Sequence, residues 1–122
     1  MASGPEVLVK ELDVLAKSDL GSASIWAQKQ LEMLRKSSPT SLKITVRQLT
    51  EGSKMSFTDV FRMEFRLSSR CARGHDFPEG VKALLKDKGR SPNWRPESLE
   101  AVTNSDIETY FAPLPTEQEW HP

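Results

Sequence analysis

The sequence has one cysteine, no long apolar run and no net charge, and each of these absences excludes a class of protein. Cys71 alone cannot form an internal disulfide, and no Cys/His grouping has the spacing of zinc ligands. No apolar stretch approaches the roughly 20 residues of a membrane span. With 17 basic and 17 acidic residues, the whole chain has no long-range attraction for nucleic acid or anionic lipid. Met1 to Glu6 resembles neither a signal peptide nor an Arg-rich presequence, so we expect no targeting segment in this chain.

The charges are unevenly distributed although their sum is zero. Residues 62–95 contain nine Lys/Arg and four Asp/Glu, whereas residues 97–122 contain six acids and no base. A basic middle and an acidic end can contact each other, or one of them can meet a partner. We expect the self-contact.

Apolar residues recur at helical spacing along most of the chain, and no stretch shows the alternation of a half-buried strand. Ser38 is a good N-cap before Pro39. Ser56 opens the longest helix, with Asp59 three residues later as the acid of a capping box. We therefore predict an all-α fold, with a helical region over residues 1–112 and a Pro-rich acidic tail over residues 113–122. The predicted helices span residues 5–17, 23–36, 39–52, 56–72, 77–88 and 105–111.

Each of the first four predicted helices has an apolar face that we expect to pack inward. These faces are Leu8, Leu12, Leu15 and Ala16; Ala27, Leu31 and Leu34; Leu42, Val46 and Leu49; and Phe57, Val60, Phe61, Leu67 and Cys71.

His75, Asp76 and Glu79 lie within five positions and are either a catalytic acid/base set or the start of a helix. As an N-cap, Asp76 would accept a backbone N–H, and Glu79 three residues later would reach back to it. Both acids would then be stabilised as anions, which does not suit a general acid at neutral pH. We interpret the trio as helix architecture, with Gly80 allowing a close approach to a neighbour.

Arg62, Arg66, Arg70 and Arg73 fall on one face of the fourth helix. Such a stripe can bind the phosphates of nucleic acid or a nucleotide, or it can be a solvated face paired with nearby acids and the acidic tail. The net charge is zero, and no aromatic residues are interleaved with the arginines on that face to stack on bases. We therefore favour the second interpretation and expect no nucleic-acid partner.

Lys82, Lys86, Lys88 and Arg90 cluster beside Trp94 in the sequence. Cations near a flat ring can bind a phosphorylated adenosine, although ordinary surface helices carry such lysines too. Cys71 lies on an apolar helix face with no base spaced to activate it, so we expect packing and no nucleophile. The residues alone predict no catalytic group, no metal ligand and no bound cofactor in this chain.

Four stretches in order carry a resemblance to a known family. SPTSLKITVRQLTEG (38–52), MEFRLS (63–68), RGHDFPEGVKALLKDK (73–88) and SPNWRP (91–96) resemble the C-terminal part of the 3-hydroxyisobutyryl-CoA hydrolase family. That family is a branch of the crotonase (enoyl-CoA hydratase/isomerase) superfamily. The D-x-x-E-G element is shared by many crotonases, whereas SPTSLKI and GHDF-x-EG point to the hydrolase branch.

The resemblance implies an acyl-CoA thioesterase of mitochondrial valine breakdown, with some relatives in peroxisomes. The superfamily core is a spiral of ββα units that supplies an oxyanion hole and the catalytic carboxylates, N-terminal to the region matched here. It implies that this chain lacks the core, has no catalytic residue of its own and is inactive alone. In the complete enzyme it would cap the core and support binding of the acyl-CoA substrate.

The resemblance also implies where coenzyme A lies, because the helix after D-x-x-E-G lies close to it in crotonases. Leu84 stands at the position of the family's aromatic residue and Asp87 at that of its lysine, which argues against direct adenine binding there. The expected contacts with the nucleotide end are then Lys86, Lys88 and Trp94.

Two further expectations follow from the resemblance. Leu49, Phe57, Val60 and Phe61 would pack against the core and form an apolar patch in its absence. A second hypothesis is a non-catalytic interaction module, because crotonase-like relatives also occur as structural subunits of mitochondrial ribosomes, where an arginine face would meet RNA.

Overall fold

The computed structural model describes residues 4–122, and this range is helical and contains no strand, as predicted. Residues 1–3, which include part of the segment considered for targeting, lie outside the described residues. A π-helix follows α5 directly, so that the predicted fifth helix is one helical run in two forms. The elements are α1 (Pro5–Ala16), α2 (Ser22–Lys36), α3 (Pro39–Gly52), α4 (Phe57–Arg73), α5 (Asp76–Val81), the π-helix (Lys82–Lys86), α6 (Asn104–Phe111) and a 3-10 turn (Thr116–Gln118).

The predicted N-caps of α3 and α4 are confirmed. Ser38 Oγ accepts the backbone N–H of Ser41 at 3.2 Å, and Ser56 Oγ accepts that of Asp59 at 3.2 Å. The expected capping box at α4 is not completed, because the Asp59 carboxylate pairs with Arg62 at 2.8 Å.

A complete capping box stands instead at α6, where sequence analysis did not place one. Thr103 Oγ1 accepts the N–H of Asp106 at 3.0 Å, and Asp106 Oδ2 accepts the N–H of Thr103 at 3.0 Å. The reciprocal bonds satisfy two of the N–H groups that a helix start leaves open.

Two small apolar clusters hold the helices together. The first joins α1 to α2 through Leu12, Ala27 and Leu31. The second joins α3, α4 and α6, and its members are Ile44, Met63, Leu67, Val102 and Ile107. The chain therefore packs around two modest cores and not one deep one.

The expected inward face of α3 is wrong in part, because Leu42 and Val46 are half-buried but Leu49 is exposed. Ile44 is buried with 6% of its surface exposed, whereas Leu49 is 69% exposed. These residues lie on opposite sides of the helix, because each residue advances about 100° around the axis. The long side chain of Arg47 covers the Phe111 ring, with Cζ 4.3 Å from the ring centroid.

The expected apolar side of α4 is also wrong in part. Leu67 is buried, as predicted, together with Met63, whereas Phe57 is 80% and Phe61 44% exposed. Phe61 and Leu67, which were both expected on one side, are six positions apart and therefore lie about 120° apart around the helix. The predicted apolar side of α4 therefore consists of two separate faces, one buried and one exposed. In α1, Leu8 is likewise exposed although it was expected inside.

Candidate functional site

Asp76 opens α5 and does not cap it, which corrects the predicted capping box. The N-cap residue is His75, whose side chain makes no capping bond. Asp76 Oδ1 accepts the backbone N–H of Arg95 at 2.9 Å and also contacts His75 Nδ1 at 2.8 Å. Asp76 Oδ2 accepts Ser38 Oγ–H at 2.5 Å. One carboxylate thus joins the start of α3, the start of α5 and a loop.

Glu79 holds the same loop one turn further along. Its Oε2 accepts the backbone N–H of Asn93 at 2.7 Å and an N–H of Arg90 at 2.6 Å. The Arg90 guanidinium, together with the Asn93 N–H, lowers the pKa of Glu79 to about 2. A carboxyl group with this pKa is an anion at neutral pH and does not act as a general acid.

We call this arrangement the clamp: Ser38, Asp76 and Glu79 bound to the loop of residues 90–96. It brings together three of the four stretches that carry the family resemblance. The trio is architectural, as interpreted from the sequence, but the two acids bind the distant loop and do not cap their own helix. A capping box is a local pattern, whereas these bonds span between 11 and 38 positions.

Trp94 is fixed by the clamped loop at two points. A Cβ placed on Gly80 would lie 3.1 Å from Trp94 Cη2, so the close approach expected at Gly80 is confirmed and its neighbour is the indole. Trp94 Nε1–H donates to the carbonyl of Lys36 at 3.0 Å. The indole therefore bridges α5 and the end of α2.

One member of the predicted cationic cluster is engaged by carboxylates. Arg90 turns away to pair with Glu79 at 2.6 Å and with Asp87 at 3.3 Å. Lys86 and Lys88 remain exposed at the end of the π-helix, where the N–H of Asp87 donates to Lys82 O at 2.9 Å. The contacts of Lys86, Lys88 and Trp94 with coenzyme A stay predictions.

The arginine face of α4 is covered by the chain's own end. We call residues 110–120 the strap. Arg66 makes two hydrogen bonds to the Glu119 carboxylate at 2.8 and 2.9 Å, and Arg73 contacts Gln118 at 3.4 Å. Arg70 donates to the carbonyls of residues 110, 112 and 113 of the strap. The expected self-contact between the basic middle and the acidic end is confirmed.

Other groups offer no sign of chemistry in the described part of the chain. Cys71 is half-buried, and burial raises the pKa of its thiol, which disfavours the reactive thiolate. Residues 4–122 contain no group of three or more His, Cys, Asp or Glu side chains that could hold a metal ion. No helix in this range is long and apolar enough to cross a membrane.

Comparison with known proteins places these features in a family. The sequence profile of the family described as Enoyl-CoA hydratase/isomerase matches residues 5–111. The chain is 57% identical over 91 residues to the mitochondrial 3-hydroxyisobutyryl-CoA hydrolase of Gallus gallus, covering 75% of this chain and 24% of that one. It is 53% identical over 91 residues, with the same coverage, to the Homo sapiens protein of that name. These relatives confirm the resemblance to the hydrolase branch.

Solved structures agree with the sequence comparison. An enoyl-CoA hydratase from Rhodobacter sphaeroides matches with a TM-score of 0.79 and 30% identity, over 98% of this chain and 33% of that chain. A carnitinyl-CoA dehydratase from Mycobacterium thermoresistibile matches with a TM-score of 0.65 and 28% identity, over 93% of this chain and 36% of that chain. The chain spans about a quarter of the length of the curated relatives it matches. By profile, sequence identity and fold, it belongs to the enoyl-CoA hydratase/isomerase family.

Proposed function

We propose that this chain is the C-terminal helical portion of a mitochondrial hydrolase that cleaves the thioester of 3-hydroxyisobutyryl-CoA in valine breakdown. The observation that carries the proposal is the clamp. Three stretches shared with the hydrolase branch meet in one hydrogen-bond network, and the relatives that are 50–57% identical have this name. In the complete enzyme the chain would cap the catalytic core and support acyl-CoA binding.

The exposed apolar faces support the capping role. Phe57, Phe61 and Leu49 are 80%, 44% and 69% exposed, as expected of residues that pack against an absent core. Leu84 and Leu85 of the π-helix are exposed by 72% and 66%. Apolar surface of this kind usually marks a site of contact with another protein surface.

The acyl-CoA would be held by its nucleotide end at Lys86, Lys88 and Trp94. The two lysines are exposed and point charges of this type suit phosphate groups. Trp94 contributes an indole already fixed by the Lys36 carbonyl, so that no ring has to be ordered on binding. Coenzyme A is here part of the substrate, and no separate cofactor is proposed.

The chain contributes no catalytic residue in this proposal. Both acids of the clamp are engaged with the loop, and Cys71 lacks an activating base. We therefore expect the 122-residue chain alone to release no thiol from 3-hydroxyisobutyryl-CoA. The alternative role as an RNA-binding subunit is disfavoured, because the strap engages the guanidinium groups of Arg66 and Arg70 on the arginine face of α4.

A chimera tests the proposal. The 91 matched residues of the Gallus gallus hydrolase are replaced by the corresponding residues of this chain, and thiol release from 3-hydroxyisobutyryl-CoA is measured. We expect the chimera to keep activity within about ten-fold of the parent, since only supporting contacts are exchanged. A folded chimera without activity, or activity in the 122-residue chain alone, would contradict the proposal.

A paired variant of the chimera tests the nucleotide contact. Replacing Lys86 and Lys88 by Gln should raise KM for the acyl-CoA several-fold and leave kcat nearly unchanged, because binding away from the thioester affects ground and transition state alike. Replacing Lys29 and Lys54, which are equally exposed but lie on α2 and after α3, is the matched control. Equal effects of the two pairs would argue against a specific site.

A further inference from the structure

A groove with an unusual concentration of arginines lies between the end of α4, α6 and the clamped loop. Its volume is about 620 Å³, and it is lined by Arg70, Arg73 and Arg95 together with Tyr110 and Pro96. Neither of the exposed lysines proposed to meet coenzyme A lines it.

Within residues 4–122, the three arginines of the groove are those without a carboxylate partner. The sequence has eight arginines, and within residues 4–122 five of them form ion pairs. Arg70 binds neutral carbonyls, including those of Tyr110 and Pro113 at 3.0 Å each. Arg73 contacts the neutral amide oxygen of Gln118. The paired arginines are Arg35, Arg47, Arg62, Arg66 and Arg90.

Arg95 is the most available of the three. Its backbone N–H is held by Asp76 Oδ1 at 2.9 Å, but its guanidinium makes no hydrogen bond or ion pair within the described range. Asp106 also lines the groove, yet its Oδ2 is engaged by the N–H of Thr103 in the capping box. With three guanidinium groups and one carboxylate, the groove has an excess of two positive charges.

The remaining lining is suited to a flat apolar body. Tyr110 presents a half-buried ring, and Pro96 lies on the same lining. A Cβ on Gly74 would lie 3.3 Å from Tyr110 Oη, so the missing side chain keeps this end open. Aromatic ligands stack favourably on rings of this kind.

We propose that this groove binds an organic phosphate monoester. Its dianionic phosphate is held by the guanidinium groups of Arg73 and Arg95, and its apolar body lies against Tyr110 and Pro96. Guanidinium forks match phosphate oxygens in charge and geometry, and two charges on the ligand balance the excess in the groove. The carbonyl bonds of Arg70 fix that cation before binding, and the clamp fixes the backbone from which the Arg95 side chain extends. The inference does not depend on the proposed hydrolase function, because the guanidinium groups of Arg73 and Arg95 have no part in it.

The test uses the 122-residue chain and phenyl phosphate as the probe, followed by backbone amide NMR shifts. We expect saturable shifts at Gly74 and Arg95, and weaker binding of inorganic phosphate, which lacks the ring. Arg95→Gln should weaken phenyl phosphate binding about ten-fold by removing one charged contact. Because that side chain makes no hydrogen bond or ion pair within the described range, the variant should fold normally.

Arg35→Gln is the matched control, since this arginine pairs with Asp13 on the α1–α2 hairpin and does not line the groove. Binding of equal strength in the two variants would overturn the proposal and indicate nonspecific attraction to surface charge. Absence of saturable shifts up to about 10 mM phenyl phosphate would overturn it as well. Gly74→Ala, which narrows the groove beside Tyr110, gives a second, uncharged check and should also weaken binding.

Discussion

The clamp and the exposed faces of the helices use the same chain in opposite ways. In the clamp, Asp76 and Glu79 meet backbone N–H groups of a loop, and the Trp94 indole is both packed and hydrogen-bonded. On the exposed faces, Phe57 and Leu84 present most of their surface to solvent. The difference indicates that the motif residues organise this chain from within, whereas its apolar faces are available for the proposed contact with a core.

The largest expected effect is in the clamp. Asp76→Ala removes the acceptor for Ser38 Oγ–H and for the Arg95 N–H at once, and should lower the free energy of unfolding by about 2–3 kcal/mol. Urea unfolding measures this value. Asp76→Asn keeps one acceptor oxygen and should cost about half as much. A loss of unfolding free energy below about 0.5 kcal/mol in Asp76→Ala would show that the clamp stabilises the fold no more than ordinary surface residues do.

Acid should weaken the clamp through Glu79. Its pKa in the folded chain is about 2, below the ordinary value of 4.5. A lowered pKa means that the folded state binds a proton less readily than the unfolded state, so this carboxylate stabilises the fold above pH 4.5. That contribution is lost as the pH falls from about 4.5 towards about 2.

Urea unfolding between these pH values measures the slope for the parent, Glu79→Gln and Glu117→Gln. The parent and Glu117→Gln should lose stability in parallel, because exposed Glu117 makes no hydrogen bond or ion pair within residues 4–122. Glu79→Gln should start lower and show a shallower slope. Parallel curves for all three chains would contradict the role of Glu79.

The strap should respond more locally than the clamp. Arg66→Met removes two hydrogen bonds to Glu119, which should increase amide hydrogen exchange at residues 114–120 roughly ten-fold while the two cores stay protected. High salt should produce a similar but smaller change, because the contact is ionic. Unchanged exchange in the strap would show that Trp120, stacked on Phe61 at 6.0 Å, holds it without the ion pair.

The smallest expected effect on stability is on the exposed phenylalanine face of α4. Phe57→Ser should change the free energy of unfolding by no more than about 0.5 kcal/mol, because Phe57 is 80% exposed. The same variant should reduce self-association in light scattering, since it removes one ring of the exposed apolar pair Phe57 and Phe61, whose centroids lie 4.6 Å apart. A stability loss as large as that of Asp76→Ala would mean that this face is part of the fold.

The helices and their ends could be predicted from the sequence, because their signals are local. The Ser38 and Ser56 caps lie next to the turns they satisfy, and helical spacing is visible within each segment. Which face of α3 is buried could not be predicted, since it depends on the partner helix. Ile44 is buried and Leu49 is not, because the side of α3 that carries Ile44 packs against α4 and α6. Arg47 covers the Phe111 ring beside this contact.

The candidate site shows the same limit. The spacing of Asp76 and Glu79 fits a capping box, but their actual donors lie in the loop of residues 90–96 and at Ser38. The contact between the basic middle and the acidic end was predictable from charge. The particular pair, Arg66 with Glu119, required a fold that brings together residues 53 positions apart.

The π-helix at Lys82–Lys86 determines which way the side chains at the end of this helical run point relative to those of α5. It closes with a bond from the N–H of Asp87 to Lys82 O, one residue more than an α-turn contains. Compared with a continuous α-helix, the added residue changes the direction of the residues at the end of the run by about 100° relative to Asp76 and Glu79. If this turn became α-helical with all its residues kept, Lys86 would rotate by about 100° relative to Asp76 and Glu79, whereas deletion of one residue would leave it in place. The extra residue therefore sets the direction of Lys86 relative to the clamp, although no motif in the sequence marks it.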